Sequence, residues 1–371
     1  GDDIVLDGSS ILGPIVQIIA GDNLEIDTRN GAGGVSGDMI TLAVDPIVGN
    51  ADSEGGILTI ISGQFAALTG GSIALIGGDD LDTFDLAGLI SAGPGEVSID
   101  GGSPSSTPGD RLVLSIGQRF TISPTQVIVQ ENTTVPTLPI DIANIEEVDV
   151  GNSLLSVVGS ALSDTFTLSV VDANLGAVVR SNGPRIVFDR LNSTVDIDGG
   201  DGDDTFILDI DGGLFYRTFN LQGGPNASTS PGDQIVLQGR PVAQVGQLTF
   251  EYFSDNDGTI GLDGRTILSY VEMEPITSSI DAANVLLTYS GADETIDVIQ
   301  TGPNVTVDST AGETTTFIAP SDSLIINTGG GLDDVLVDGL NMTLNGAGLS
   351  ITDPDGPADD TVNFANNPTA I

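Results

Sequence analysis

Apolar residues enter this chain in short runs, many of them alternating with polar ones, and no long stretch shows the spacing of an amphipathic helix. Ile4-Val5-Leu6, Phe84-Asp85-Leu86, Phe166-Thr167-Leu168, Phe206-Ile207-Leu208 and Ile235-Val236-Leu237 are β-prone stretches closed off by Gly, Asp, Asn or Pro. The pattern predicts many brief strands joined by tight turns. Ile11 to Ala20 is the most apolar stretch. It is broken by Gly13-Pro14 and falls short of the roughly 18–20 apolar residues of a membrane span. The chain opens on Gly1-Asp2-Asp3, without the basic and apolar regions of a signal peptide, so a mature or processed soluble chain is expected.

The runs belong to a longer period. Gly77-Gly78-Asp79-Asp80-Leu81-Asp82-Thr83-Phe84 returns as Gly199-Gly200-Asp201-Gly202-Asp203-Asp204-Thr205-Phe206, and again as Gly329-Gly330-Gly331-Leu332-Asp333-Asp334-Val335-Leu336; the copies lie 122 and 130 residues apart. A second shared block follows each. Pro108-Gly109-Asp110-Arg111-Leu112-Val113-Leu114 corresponds to Pro231-Gly232-Asp233-Gln234-Ile235-Val236-Leu237 and to Asp359-Asp360-Thr361-Val362-Asn363-Phe364. Ser160-Ala161-Leu162-Ser163-Asp164-Thr165-Phe166 matches Ser290-Gly291-Ala292-Asp293-Glu294-Thr295-Ile296. The chain therefore reads as an N-terminal arm, residues 1–20, followed by three diverged units at 21–109, 110–232 and 233–371.

The expected fold class is all-β: tandem diverged repeats stacked in a β-solenoid-like manner, each unit burying its face against the next. Tandem β-sandwich domains joined at Pro-rich bends such as Val135 to Pro139 are the alternative. The opening Gly1 to Leu6 carries the strand signature that closes each unit and looks like the tail of a preceding one. Either it pairs within its own chain, or residues 1–20 donate a strand to a neighbouring copy. A head-to-tail contact of that kind generates a filament unless rotation closes it. The assembly residues would be Ile4, Val5, Leu6, Ile11, Leu12, Ile15, Val16, Ile18 and Ile19.

Charge narrows the chemistry. The 371 residues include 53 acids against 9 basic residues, all Arg, for a net charge of −44, and Lys, His, Cys and Trp are absent. Schiff-base lysines, thiol nucleophiles, Ser-His-Asp triads, the usual zinc ligand sets and disulfides are thereby excluded. Nucleic acid and anionic lipid would be repelled, so neither nucleic-acid binding nor membrane insertion is expected and the natural counter-charge is a cation. Asp outnumbers Glu 42 to 11 and stands beside 50 Gly, a combination suited to tight turns. With 39% hydrophobic residues the chain is expected to fold rather than to remain a solvated tail.

Residues Gly199 to Ile207 fit the nonapeptide G-G-x-G-x-D-x-U-x, with Asp204 at the aspartate position and Phe206 at the apolar one. In this the chain resembles the hemolysin-type, repeats-in-toxin calcium rolls. The copies at 77–85 and 329–337 have Asp80 and Leu332 where the second turn glycine belongs. More of the chain is similar to the Asp/Gly-rich, GGxGDDTF-type repeats of large bacterial surface proteins, which implies an extracellular structural role. Calcium takes about six to eight oxygens from carboxylates and turn carbonyls, so it is the expected structural cofactor. Its ligands would come from Asp201, Asp203 and Asp204, then Asp79, Asp80 and Asp82, then Asp333 and Asp334, with the turns at Asp110, Asp233 and Asp359-Asp360 behind them.

Sequons at Asn132, Asn192, Asn226, Asn304 and Asn341 offer N-glycosylation sites, and the Ser/Thr/Pro turns at 103–108 and 226–231 offer hydroxyl oxygens for glycans. An enzyme would need two acids at a set separation with one of them buried, and among 53 acids no pair stands out. Phe215-Tyr216 with Phe219, and the run Phe250 to Phe253, read as core or interface packing rather than sugar platforms. The expectation is a non-enzymatic extracellular structural protein, self-assembling head to tail into a filament or surface layer with calcium stiffening its acidic turns. A calcium-dependent adhesin or glycan-binding surface protein is the alternative, and a polysaccharide-active enzyme a third.

Overall fold

In a computed structural model each of the five apolar runs named first above forms a strand, and no helix occurs among the described residues. Those are residues 3–365 except 9, 28, 30–33, 45–55, 62–67, 87–89, 93–95, 104–108, 115–118, 131–137, 227–231, 240–243, 292, 340–347 and 354–359. Among them, no helix is long and apolar enough to cross a membrane. The protein is all-β. It divides into two compact units, Gly1–Val158 with Ala177–Ser193, and Gly159–Gly176 with Thr194–Ile371.

In the first unit one sheet stacks, all parallel, Ile4–Asp7, Leu24–Asp27, Ile57–Ile61, Thr83–Leu86, Arg111–Leu114, Glu147–Asp149 and Arg185–Asp189. Its second sheet begins with Ser10–Leu12 and Ile15–Ala20 beside Gly34–Val44, and continues in parallel through Leu68–Ile76, Val97–Asp100 and Leu138–Ala143. There the chain zigzags, because Gln126–Gln130 lies antiparallel between Leu138–Ala143 and Arg119–Ile122. Leu154–Val158 then resumes the parallel order.

The second unit is built the same way. One sheet runs in parallel from Thr165–Val170 through Thr205–Asp209, Gln234–Gln238 and Ile276–Ser278 to Gly312–Ile318. It crosses an antiparallel zigzag of Gly312–Ile318, Asn304–Ser309 and Thr295–Thr301, then ends on Asp334–Asp338 and Thr361–Ala365. The other sheet runs from Thr194–Asp198 through Phe219–Gln222 and a zigzag of Arg265–Val271, Gly258–Leu262 and Val245–Tyr252. It closes on Ala282–Thr288, Ser323–Asn327 and Gly348–Thr352.

Successive passes of the chain thus lie side by side in parallel, which antiparallel sandwiches do not do, and the solenoid-like expectation describes both units. A strand of one sheet with its continuation in the other makes one rung. Alternate residues of each strand point into the space between the sheets, as in Thr205–Asp209, where Phe206 and Leu208 are buried. Phe206 stacks on Phe166 of the adjacent rung at 5.2 Å, and Phe215 meets Phe219 edge-on at 4.7 Å. Phe215, Phe219, Phe250 and Tyr252 are core, whereas Tyr216 and Phe253 are exposed.

Candidate functional site

The Gly/Asp signatures converge at one kind of corner. In each copy an aspartate stands just before a strand, and its carboxylate turns inward to bond the backbone of the preceding rung rather than outward to solvent. In the first unit the Gly56 N–H donates to Asp82 Oδ1 at 2.7 Å, the Asp82 N–H to Asp110 Oδ1 at 2.8 Å, and the Asp110 N–H to Glu146 Oε2 at 2.7 Å. In the second unit the Asp164 N–H donates to Asp204 Oδ1 and the Asp204 N–H to Asp233 Oδ1, both at 2.6 Å. Further along, the Glu294 N–H donates to Asp333 Oδ1 at 2.9 Å and the Asp333 N–H to Asp360 Oδ1 at 3.0 Å. The result is a carboxylate ladder in which the buried amides of Gly56, Asp82, Asp110, Asp164, Asp204, Glu294 and Asp333 each find a side-chain acceptor.

Glycine makes the ladder possible. Before three of the corners the strand ends on an Asx residue whose Oδ1 accepts the amide two residues on, Asp100 for Gly102, Asp198 for Gly200 and Asn327 for Gly329. Gly102 and Gly200 have φ of +100° and +91°, a region L side chains avoid. The other glycine of each pair lies directly under the ladder acid. A Cβ on Gly199 would come within 2.3 Å of Asp204 Oδ2, and one on Gly101 within 2.4 Å of Asp110 Oδ2.

The second oxygens differ from rung to rung. Asp82 Oδ2 accepts the Gly78 N–H at 2.6 Å and Asp164 Oδ2 the Ser160 N–H at 2.7 Å. Those of Asp110, Asp204, Asp233 and Asp333 are buried without a hydrogen-bond partner among the described residues. Burial, aided by neighbouring acids and opposed by the ladder bond, pushes Asp110 and Asp204 up to about 7 and Asp233 up to about 6.

The expected calcium ligands separate accordingly. Asp82, Asp204 and Asp333 are ladder residues at the bases of their strands. Asp79 and Asp203 are half-buried, Asp80 is buried, and Asp201 and Asp334 are exposed. The Asp203 N–H donates to Ser163 Oγ, and Thr361 Oγ1 donates to Asp334. Among the described residues no group of three or more Asp or Glu is arranged to hold a metal ion.

A polar cluster unforeseen in the sequence lies inside the second unit. Tyr252 and Tyr289 stack at 4.7 Å, Tyr252 Oη lies 2.7 Å from Thr315 Oγ1, and Tyr270 Oη donates to Glu313 Oε2 at 2.9 Å. Burial pushes Glu313 up to about 8 and all three phenols above their usual range. Burial in this interior thus favours the protonated form of Glu313.

Of the proposed arm, Ile4–Asp7 pairs with Leu24–Asp27, and Ser10–Leu12 and Ile15–Ala20 pair with Gly34–Val44, all within the chain. Val16 and Ile18 are buried, Ile4, Leu6 and Ile11 are intermediate, and Val5, Leu12, Ile15 and Ile19 are exposed. Asn192, Asn226 and Asn304 are exposed, and Asn132 and Asn341 lie outside the described residues. No protein-family model, no curated protein and no solved structure matches this chain.

Proposed function

We propose that the chain is an extracellular structural protein whose copies stack head to tail through the open edges of their end rungs. The observation that carries this reading is the exposed interior of the last rung. Phe364 is in register with Val337 and Val362 with Val335, both partners being buried, yet Phe364 is 55% and Val362 41% exposed. These side chains occupy core positions that another rung would cover. Among the described residues Gly348–Thr352 and Thr361–Ala365 have a partner on one side alone, as do Ile4–Asp7 and Ile15–Ala20.

Unpaired edges of this kind template further strands. The occupant fitting the last rung is the first rung of a second copy. Both carry the same strand signature, and head-to-tail contact preserves the parallel order that a two-fold contact would reverse. Because residues 4–20 already pair in cis, the neighbour is joined along their outer edge. A charge of −44 per copy opposes the contact, and calcium at the outer turn acids Asp79, Asp201, Asp203 and Asp334 would screen it.

Negative-stain electron microscopy and sedimentation of the purified chain, with calcium and after chelation, test the reading. Rods that lengthen with concentration and shorten on chelation are expected, and Phe364→Asp should leave folded single copies. Single copies of the unaltered chain at every concentration would overturn it and favour an adhesin.

A further inference from the structure

We infer that the outer face of one sheet, at its opening strands in the first unit and its closing strands in the second, is a lateral contact that takes the same face of a second copy, side to side rather than end to end. The observation is where charge is missing. In the first unit Ile15–Ala20 and Leu68–Ile76 contain no charged residue, and Gly34–Val44 between them contains Asp38 alone. In the second unit Ala282–Thr288, Ser323–Asn327 and Gly348–Thr352 contain none. Acids return on the next strand inward at either end, with Asp100 beside Ile76 and Glu251 beside Thr288. The other sheet of the same rungs is acidic outside. Asp7, Glu25 and Asp85 stand on its outward rows in the first unit, and Asp297, Asp334 and Asp338 in the second.

The uncharged face is also apolar. Strand parity buries Val16, Ile18, Ile40 and Leu42 and turns Ile15, Ile19 and Met39 outward, where they are 72%, 50% and 52% exposed. Ile15 and Met39 are in register on adjacent strands, and Ile19 follows on the row of Ile15.

Charge selects the occupant. Against an acidic face of a −44 chain this surface would strip water from carboxylates and give them no partner, whereas against its own copy it meets an uncharged surface. The same surface on both partners is the isologous contact of a two-fold pair. In an end-to-end stack the closing strands of one copy lie beside the opening strands of the next, so the two uncharged regions merge across each joint. That merger, unlike the face itself, rests on the end-to-end reading. Three strands from each copy, about 4.8 Å apart and about five residues long, give on the order of 500 Å² per joint, short of the roughly 800 Å² a side of a standard stable interface. Single copies therefore pair weakly, and rods, which repeat the face at every joint, pair firmly along their length.

Because the chain has no Cys, single introduced thiols report the contact. Gln17→Cys and Val5→Cys each place an exposed thiol on an outward row of the first rung, the former on the uncharged sheet and the latter on the acidic one. Packed sheets lie about 10 Å apart, within reach of a short bis-maleimide. With rates normalised to labelling by a mono-maleimide, Gln17→Cys should give cross-linked dimers about tenfold faster than Val5→Cys, in the unaltered background, in the Phe364→Asp background, or in both. Adding Met39→Asp, one strand in from the edge, should bring the Gln17→Cys rate down to that of Val5→Cys.

Equal rates for the two thiols in both backgrounds would overturn the inference, as would a Gln17→Cys rate unmoved by a folded Met39→Asp. Rods without the preference would refute the lateral contact alone, and the preference without rods would refute the end-to-end reading alone. Should Met39→Asp fail to fold, the ratio of the two thiols decides by itself.

Discussion

Gly199→Ala probes the ladder most directly. The new methyl would lie 2.3 Å from Asp204 Oδ2, 2.6 Å from the Gly223 oxygen and 3.0 Å from Asp204 Cγ, closer than carbon and oxygen atoms approach in folded proteins. The Gly223 oxygen is main chain in the adjoining rung and cannot turn aside. Asp204 can rotate away, but it then releases the Asp164 N–H, bonded at 2.6 Å in a buried position.

Overpacking costs about 1–3 kcal/mol, and an orphaned buried amide about as much again, so the variant should lose roughly 2–5 kcal/mol. Urea unfolding followed by circular dichroism and tyrosine fluorescence measures this, there being no Trp to report. Gly348→Ala is the control, because no atom lies within 4 Å of its added methyl, and it should stay within about 0.5 kcal/mol of the unaltered chain. Equal midpoints for the two variants would show that the corner is not tightly packed, and the ladder reasoning would fail with it.

Two further outcomes follow from the interior of the second unit. Phe206→Ala removes a ring that is 1% exposed and stacked on Phe166, and should cost about 3–5 kcal/mol in the same assay; a loss below about 1 kcal/mol would contradict the packing. Glu313 keeps its proton in the folded state up to about pH 8 but releases it near 4.5 when unfolded, so stability falls as pH rises between those values. Glu313→Gln, which retains an acceptor for Tyr270, should melt like the unaltered chain at pH 4 and at a higher temperature at pH 8. A lower melting temperature at pH 8 would mean that the ionised carboxylate is the stabilising form.

Local chemistry made the strands legible, because alternation of apolar residues and Gly/Asp punctuation act over a few neighbours. Asp110 and Asp233, ranked behind the nonapeptide acids, prove to be their equals in the ladder, and the recurring Asp one residue before a strand was the signal. Glu294 was recoverable from its alignment with Asp164. Glu146 carried no such mark.

The sequence marked Asp204 as the aspartate of the nonapeptide but could not say that its carboxylate, unlike that of Asp203, is buried in the ladder. Strand parity and the amide of a residue 40 positions away turn one inward, and only stacking supplies that amide. Nor could it bring Tyr252, Tyr270 and Tyr289 onto Glu313, since their meeting depends on how two sheets fold over one another. What the sequence by itself determined is an acidic all-β chain of repeated short strands and turns, properties written in runs of a few residues. What only the tertiary structure decided is the parallel order of the rungs, the antiparallel zigzags and the burial of particular carboxyls, because each depends on contacts between residues far apart in the chain.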